Sequence, residues 1–113
     1  QGEVDDLMVY ASAVNFLKDV KNAQYISILR DEKMIVEIKG DRYRIVYDTG
    51  KVFIETEPLF KKVDIIPQKK TIVINSDGSF LIDGERYVKF KRGRKEYTLI
   101  LKRDGRCYID END

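Results

Sequence analysis

The fold of this chain is decided by residues 3–29, which read EVDDLMVYASAVNFLKDVKNAQYISIL. Apolar side chains recur there at intervals of three and four, which is the period of one helix face. Acidic residues come early and lysines later, as the helix dipole favours. The pattern predicts an amphipathic helix over about 3–29 that packs on the rest of the molecule. The residues predicted to make that contact are Leu7, Ala11, Val14 and Leu17.

A sheet is predicted to cover this helix, because the apolar period changes from 3.6 to 2 at about residue 33. One-sided alternation is typical of antiparallel strands with one covered face and one wet face. Six of the seven glycines stand between the alternating segments, four of them beside an aspartate, as tight hairpins require. The predicted fold class is therefore α+β, with an N-terminal amphipathic helix packed on a twisted antiparallel β-sheet.

The chain is predicted to form a single domain over residues 1–113, a length that suits one domain. The first strands are expected at about 33–56 and the C-terminal strands at about 70–110. Between them lies a connection at 57–69, which contains both prolines, Pro58 and Pro67. Proline is tolerated at sheet edges and connections, so a short edge strand is expected at 63–66.

The composition narrows the classes of function. With 42% hydrophobic and 36% charged residues, the chain has material for a core, which argues against intrinsic disorder. The net charge of +1 excludes a globally basic nucleic-acid coat. Histidine is absent and Cys107 is the one cysteine, which excludes His-based triads, zinc fingers and CxxC redox motifs. We predict no catalytic residues, no metal, no cofactor and no small-molecule substrate. A small enzyme using carboxylate or lysine groups is the weaker hypothesis.

Two short features have both a structural and a functional interpretation. The run 75–79 (NSDGS) offers oxygen ligands but lacks the length and terminal Glu of a calcium loop, so a turn is favoured over a metal site. Cys107 shares strand parity with Ile109, which favours a small buried hydrophobe. An intermolecular disulfide or a nucleophile is the alternative for Cys107.

The charge is unevenly distributed along the chain. Between Arg86 and Arg106 there are nine basic and two acidic residues, a local charge of +7, whereas the tail 110–113 carries three acids. The densest cluster surrounds a predicted hairpin tip, which is either a solvated loop or an anion-binding site for DNA, with Tyr87 or Tyr97 available for stacking. The residues predicted to bind DNA or another anion are Lys89, Lys91, Arg92, Arg94, Lys95 and Arg106.

Three segments, 7–28, 71–79 and 97–107, together resemble type IV pilin-like proteins, most nearly the GspH/FimT-type minor pilins and pseudopilins. They are similar to the back half of the long pilin helix, the strand and turn before the C-terminal sheet, and the closing hairpin that ends in Gly-Arg. In some FimT-like relatives a C-terminal Gly-Arg-x-Arg motif contributes to DNA binding. Gly105 and Arg106 match its first half, whereas Tyr108 stands where the second Arg would be.

The resemblance implies a non-enzymatic structural subunit of a type IV pilus, competence or type II secretion filament. Its partners would be other pilin or pseudopilin subunits, and it would lie at the cell surface or in the extracellular or periplasmic space. The cleavage site, the methylated Phe, the Glu at the fifth mature position and the apolar half-helix of the class are not in residues 1–113. We therefore expect a soluble domain whose missing N-terminal helix anchors the full-length protein in the membrane, with the polar face of the visible helix meeting other helices. The alternative function is a DNA-binding module, acting in DNA uptake or alone, that uses the basic hairpin.

Overall fold

The structure, a computed structural model, describes residues 2–57 and 63–111. Those residues form one helix and eight strands, and the α+β class predicted from the sequence is confirmed. In chain order they are α1 Gly2–Arg30, β1 Met34–Lys39, β2 Arg42–Tyr47, β3 Val52–Glu55, β4 Asp64–Pro67, β5 Thr71–Ile74, β6 Glu85–Arg92, β7 Lys95–Lys102 and β8 Cys107–Asp110.

The helix α1 has acidic residues in its first turn, and a hydrogen-bonded turn at Asp31 ends it. Asp31 adopts a left-handed conformation with φ 51°. The Asp31 N–H donates to the Ile28 carbonyl at 3.3 Å, and the Glu32 N–H donates to the Ser27 carbonyl at 3.0 Å. This pair of bonds is a Schellman motif, which satisfies carbonyls that the last helical turn would leave without a partner. The chain then turns directly into β1.

The strands form two four-stranded antiparallel sheets rather than the one sheet predicted. The first sheet has the order β3-β2-β1-β5 and the second has the order β4-β6-β7-β8. Strands β4 and β5 are consecutive in the chain but belong to different sheets. The predicted connection 57–69 therefore contains an edge strand of the second sheet, β4, which pairs with β6. Positions 58–62 of that connection, Pro58 among them, and positions 112–113 of the acidic tail lie outside the described residues.

The core lies between α1 and the two sheets. On the helix the buried side chains are Val9, Ala13, Phe16, Val20, Ala23 and Ser27. The Phe16 ring contacts both sheets, with its centroid 4.8 Å from that of Tyr43 on β2 and 5.5 Å from that of Phe90 on β6. One helix face thus holds the two sheets together.

Three of the four predicted packing residues, Leu7, Ala11 and Val14, lie on the wrong side of the helix, whereas Leu17 packs against the core as predicted. Leu7 is 68% exposed and Val14 is 38% exposed, while Ala11 and Leu17 are only partly buried. The buried positions 13, 16, 20 and 23 are the apolar positions 4, 7, 11 and 14 displaced by nine residues. Nine residues are about two and a half turns of an α-helix, so the two sets lie on opposite sides. Both sets repeat at three and four, and periodicity alone could not say which of them faces the sheets.

A partly buried group of hydrogen-bonded side chains joins α1 to the first sheet. The Tyr43 hydroxyl donates to Asp19 Oδ2 at 2.5 Å and accepts from Asn15 Nδ2 at 3.3 Å. Burial of the phenol, together with the bond to the Asp19 carboxylate, raises the pKa of Tyr43 well above its ordinary value. The phenol therefore stays neutral, and it remains a hydrogen-bond donor throughout the physiological range of pH.

Candidate functional site

The face of α1 that points away from the sheets carries a row of exposed apolar side chains, which we call the outer stripe. Four of its members are more than half exposed: Val4 at 58%, Leu7 at 68%, Tyr25 at 63% and Leu29 at 62%. Exposed contiguous apolar surface on a folded domain is typical of a surface that contacts another molecule. The residues of the outer stripe are Val4, Leu7, Ala11, Val14, Tyr25 and Leu29.

Two lysines interrupt the outer stripe at its middle. Lys18 and Lys21 are exposed, and their spacing from Val14 continues the interval of four and three. With Val4, Leu7 and Ala11 these positions follow the seven-residue repeat of a helix that packs along another helix. The stripe is therefore divided into an apolar N-terminal part, a basic middle and an apolar C-terminal part.

The N-terminal end of α1 is held against the β6–β7 hairpin. The Arg92 Nε lies 2.6 Å from Asp5 Oδ1, and both side chains are largely covered. The Tyr97 hydroxyl donates to Asp6 Oδ1 at 2.8 Å, and that hydrogen bond raises the pKa of Tyr97. The Tyr10 ring packs edge-on against Tyr97, with 5.1 Å between centroids. Asp5 and Asp6 thus bind the hairpin and hold it against the start of α1.

The C-terminal part of α1 is fixed to two turns by one side chain. The Gln24 Nε2 donates to the Gly78 carbonyl at 2.7 Å and to the Gly105 carbonyl at 2.8 Å. These carbonyls belong to the turns that follow β5 and β7. The two attachments, at the hairpin and at these turns, hold α1 along the second sheet and leave its outer stripe facing away. Sequence reasoning missed Gln24, since no local pattern marks a contact with residues so distant in the chain.

The six basic residues predicted to bind an anion lie in two separate places. Five of them lie on the β6–β7 hairpin, whereas Arg106 lies just before β8. The hairpin tip and Arg106 lie at opposite ends of β7, whose 8 residues span roughly 26 Å at about 3.3 Å per residue. Arg106 therefore does not belong to the hairpin tip.

Half of these basic residues contact carboxylates. The Lys89 Nζ lies 3.7 Å from Glu96, Arg92 is bound to Asp5 as above, and the Arg106 Nε lies 2.9 Å from Asp104 Oδ2. The side chains of Arg94 and Lys95 are exposed at the tip. The hairpin carries less unneutralised charge than its sequence indicates.

The run 75–79 forms a turn, the interpretation favoured for it. Asp77 Oδ1 accepts from the Ser79 hydroxyl at 2.5 Å and from the Ser79 N–H at 3.0 Å, and these bonds lower the pKa of Asp77. Asn75 Nδ2 donates to the Ser79 hydroxyl at 3.0 Å. The polar side chains of this run are thus hydrogen-bonded to one another within the turn.

Cys107 is a free, buried thiol, and burial raises its pKa to about 12. A thiol that stays protonated at neutral pH packs as a small hydrophobe and is a poor nucleophile.

Over residues 2–57 and 63–111, no group of three or more acidic or cysteine side chains is arranged to hold a metal ion.

A surface depression of about 380 Å³ lies over the first sheet, on the side away from the core. A charged row crosses it from β1 to β3, formed by Glu37, Arg44 and Glu55. The Arg44 Nε lies 2.5 Å from Glu37 Oε1, and this bond raises the pKa of Arg44. Arg42, which also lines the depression, contacts Asp41 and Glu57 at its edge. The two arginines are therefore bound in salt bridges rather than directed at a common point.

Among the described residues, no helix combines the length and apolar character needed to cross a membrane.

Comparison with solved structures identifies the fold. Two crystal forms of the type IV minor pilin FimU from Pseudomonas aeruginosa strain PAO1 are similar to this chain. The first has a TM-score of 0.72 at 13% sequence identity, over 90% of this chain and 87% of that one. The second has a TM-score of 0.70 at 14% identity, over 89% and 91%. No protein-family model matches the chain, and no curated protein matches it. The chain thus has the α+β pilin fold of FimU.

Proposed function

We propose that this chain is a structural, non-enzymatic subunit of a type IV pilus-type filament. The observation that carries the proposal is the outer stripe of α1, an apolar helix face that the domain's own sheets leave uncovered. In a filament this face would pack along helices of neighbouring subunits, which are its expected partners. The polar-face contact expected from the sequence is replaced here by an apolar one, because Leu7 and Val14 point away from the sheets.

The pilin fold and the division of α1 into two faces support this role together. Apolar area removed from water contributes about 25 cal/mol per Å², so burial of the outer stripe would favour association. The seven-residue spacing of Val4, Leu7, Ala11 and Val14 suits a second helix lying nearly parallel.

The finer assignment follows the sequence resemblance. We propose a GspH/FimT-type minor pilin or pseudopilin that serves a pilus, competence or secretion filament at the cell surface or in the periplasm. In this proposal an apolar helix upstream of Gln1 anchors the full-length protein in the membrane. The residues encoded before Gln1 test it: an apolar segment bearing a Glu supports the assignment, and a hydrophilic segment contradicts it.

Assembly is tested by placing a charge on the outer stripe of the full-length protein in its own host. Leu7→Glu is expected to abolish recovery of the subunit in sheared filaments, because a buried carboxylate would face a neighbouring helix. Leu81→Glu is the matched control, since Leu81 is 60% exposed and belongs to the segment before β6 rather than to the helix. Equal incorporation of both variants would contradict the proposal.

DNA binding by the β6–β7 hairpin is the second candidate function. It is favoured by the exposed side chains of Lys91, Arg94 and Lys95 around the tip, which are available to contact phosphates. The triple variant Lys91→Ala, Arg94→Ala and Lys95→Ala is expected to weaken duplex binding and to reduce the salt slope by about 1 for each phosphate that these side chains neutralise. Arg106→Ala is the control, because Arg106 lies at the other end of β7. Binding that is unchanged in the triple variant would remove this candidate.

A further inference from the structure

The outer face of the second sheet, opposite α1, carries a row of two tyrosines with an isoleucine between them. Tyr87 on β6 pairs with Ile100 on β7, which pairs with Tyr108 on β8. Tyr87 is 37% exposed and Tyr108 is 41% exposed. Their chain neighbours Val88 and Leu99 point into the core, which fixes the row on the solvent side of the sheet.

The row, which we call the platform, crosses three strands and has an amide at one end. Adjacent strands lie about 4.8 Å apart, so Tyr87 and Tyr108 stand roughly 10 Å apart with the Ile100 side chain between them. Gln68 continues the row beyond Tyr87, because its Oε1 accepts from the Tyr87 N–H at 3.3 Å and its N–H donates to the Tyr87 carbonyl at 3.1 Å. Two ring systems and an apolar floor thus lie on one line across three strands.

Three cations beside this platform already contact carboxylates. On one side Lys102 hydrogen-bonds Glu85, and Arg106 contacts Asp104. That hydrogen bond raises the pKa of Lys102.

On the opposite side of the platform a lysine also contacts a carboxylate. The Lys89 Nζ lies 3.7 Å from Glu96 and 5.1 Å from the centroid of the Tyr87 ring. A polyanion would have to compete with these carboxylates for Lys89, Lys102 and Arg106, whereas a neutral ligand meets a rim of hydrogen-bond donors and acceptors.

We propose that this face binds an extended, uncharged polysaccharide. A sugar ring has apolar C–H faces and a hydroxylated edge, so its faces stack on tyrosine rings while its hydroxyls meet the polar rim. The separation of Tyr87 and Tyr108 suits a straight β-linked chain, in which alternate sugar rings present the same face. Single-stranded nucleic acid would use the same rings, but the paired charges favour the neutral ligand. The site depends on the second sheet alone, and it does not require the proposed filament.

Titration of the isotope-labelled chain with cellohexaose, followed by NMR, tests the site. The amide signals of Tyr87, Ile100 and Tyr108 are expected to shift with a common affinity. Tyr87→Ala and Tyr108→Ala are each expected to lower that affinity about 2- to 12-fold, which is the worth of one aromatic contact. Tyr87→Phe and Tyr108→Phe keep the ring, and they are expected to retain most of the affinity even if an alanine variant is less stable.

Tyr25→Ala is the matched protein control, because Tyr25 is exposed on the helix. Maltohexaose is the matched ligand control, since its α-linkages curve the same sugars away from a straight platform. The proposal is overturned if cellohexaose causes no shifts, if Tyr25→Ala weakens binding as much as the platform variants do, or if maltohexaose binds equally well. It is also overturned if oligothymidine binds the platform more tightly than cellohexaose, with an affinity that falls as salt is added.

Discussion

Gln24 shows how much one side chain contributes to the position of the helix. Its amide joins the turns at Gly78 and Gly105, which are 54 and 81 residues away along the chain. Gln24→Ala leaves both carbonyl oxygens without this donor, so we expect it to lower the free energy of unfolding by about 1–3 kcal/mol in urea titrations. Asn22→Ala, at an exposed position of the same helix, is expected to stay within about 0.5 kcal/mol. Equal effects of the two substitutions would mean that the hydrogen bonds of the Gln24 amide do not stabilise the position of the helix.

Gly105 occupies a place that no side chain fits. Its φ is +102°, and a Cβ there would lie 2.9 Å from the Gly78 carbonyl oxygen. Gly50, with φ +93°, has open space around the same position. Both alanine variants carry backbone strain, of order 1 kcal/mol, but Gly105→Ala must also move a turn. We expect thermal unfolding to show a clearly larger loss for Gly105→Ala than for Gly50→Ala. The sequence predicts both glycines as turn residues, yet it gives no sign of this contact between two turns.

Cys107 is where the sequence and the structure agree closely, since strand parity alone predicts a buried side chain. The raised pKa of about 12 means that the folded chain keeps the thiol protonated. At a pH of about 8.5, near the pKa of free cysteine, iodoacetamide should label the native chain slowly and the urea-unfolded chain quickly. Because the folded pKa is raised, this group stabilises the fold below the unfolded pKa, and that contribution is lost as pH rises toward the folded value. Rapid labelling of the native protein would indicate an accessible thiol.

At the scale of the element, α1 has two apolar faces of the same period. The presence of a helix at about 3–29 follows from spacing, and the helix observed is Gly2–Arg30. Its orientation does not follow, because a set of residues shifted by nine satisfies the same pattern. Residue type adds one signal, because Phe16, the one phenylalanine of the helix, is fully buried, whereas Leu7 is exposed. A helix that must also contact neighbours needs both faces, so the ambiguity in the pattern reflects the function proposed here.

The same substitution, made at two positions that are two residues apart, distinguishes the two faces of α1. Ala13→Glu places a carboxylate in the core, where Ala13 is fully buried, and should cost at least about 3 kcal/mol or prevent folding. Ala11→Glu places the same group on the outer stripe and is expected to change the stability of the isolated domain by no more than about 0.5 kcal/mol. Urea unfolding followed by circular dichroism measures both. A large loss for Ala11→Glu would mean that the outer stripe packs within the domain itself.

At the scale of the whole molecule, the exchange of β4 and β5 between sheets is the feature that sequence could not supply. Alternation predicts every strand except β4, which is expected from the prolines of the connection. Hairpin turns predict that β1 pairs with β2 and β6 with β7. The pairing of β5 with β1 and of β4 with β6 spans longer separations and leaves no local signal. The predicted packing of a helix on antiparallel sheet is confirmed, whereas the division of the strands into two sheets has no signal in the sequence. The exchange ties the sheets together, because the chain passes from the second sheet to the first between residues 67 and 71.

Phe16 and this exchange together imply that the two sheets unfold as one unit. The Phe16 ring contacts Tyr43 in the first sheet and Phe90 in the second, so neither sheet keeps its core if the other opens. Native-state hydrogen exchange should give the most protected amides of β2 and β7 the same free energy of opening. Phe16→Ala should lower both values together by about 3–5 kcal/mol. Ile54→Ala, on edge strand β3, is the control, since this partly buried position belongs to the first sheet alone and should cost less. If Phe16→Ala lowers the protection of only one sheet, the sheets are independent folding units and α1 does not couple them.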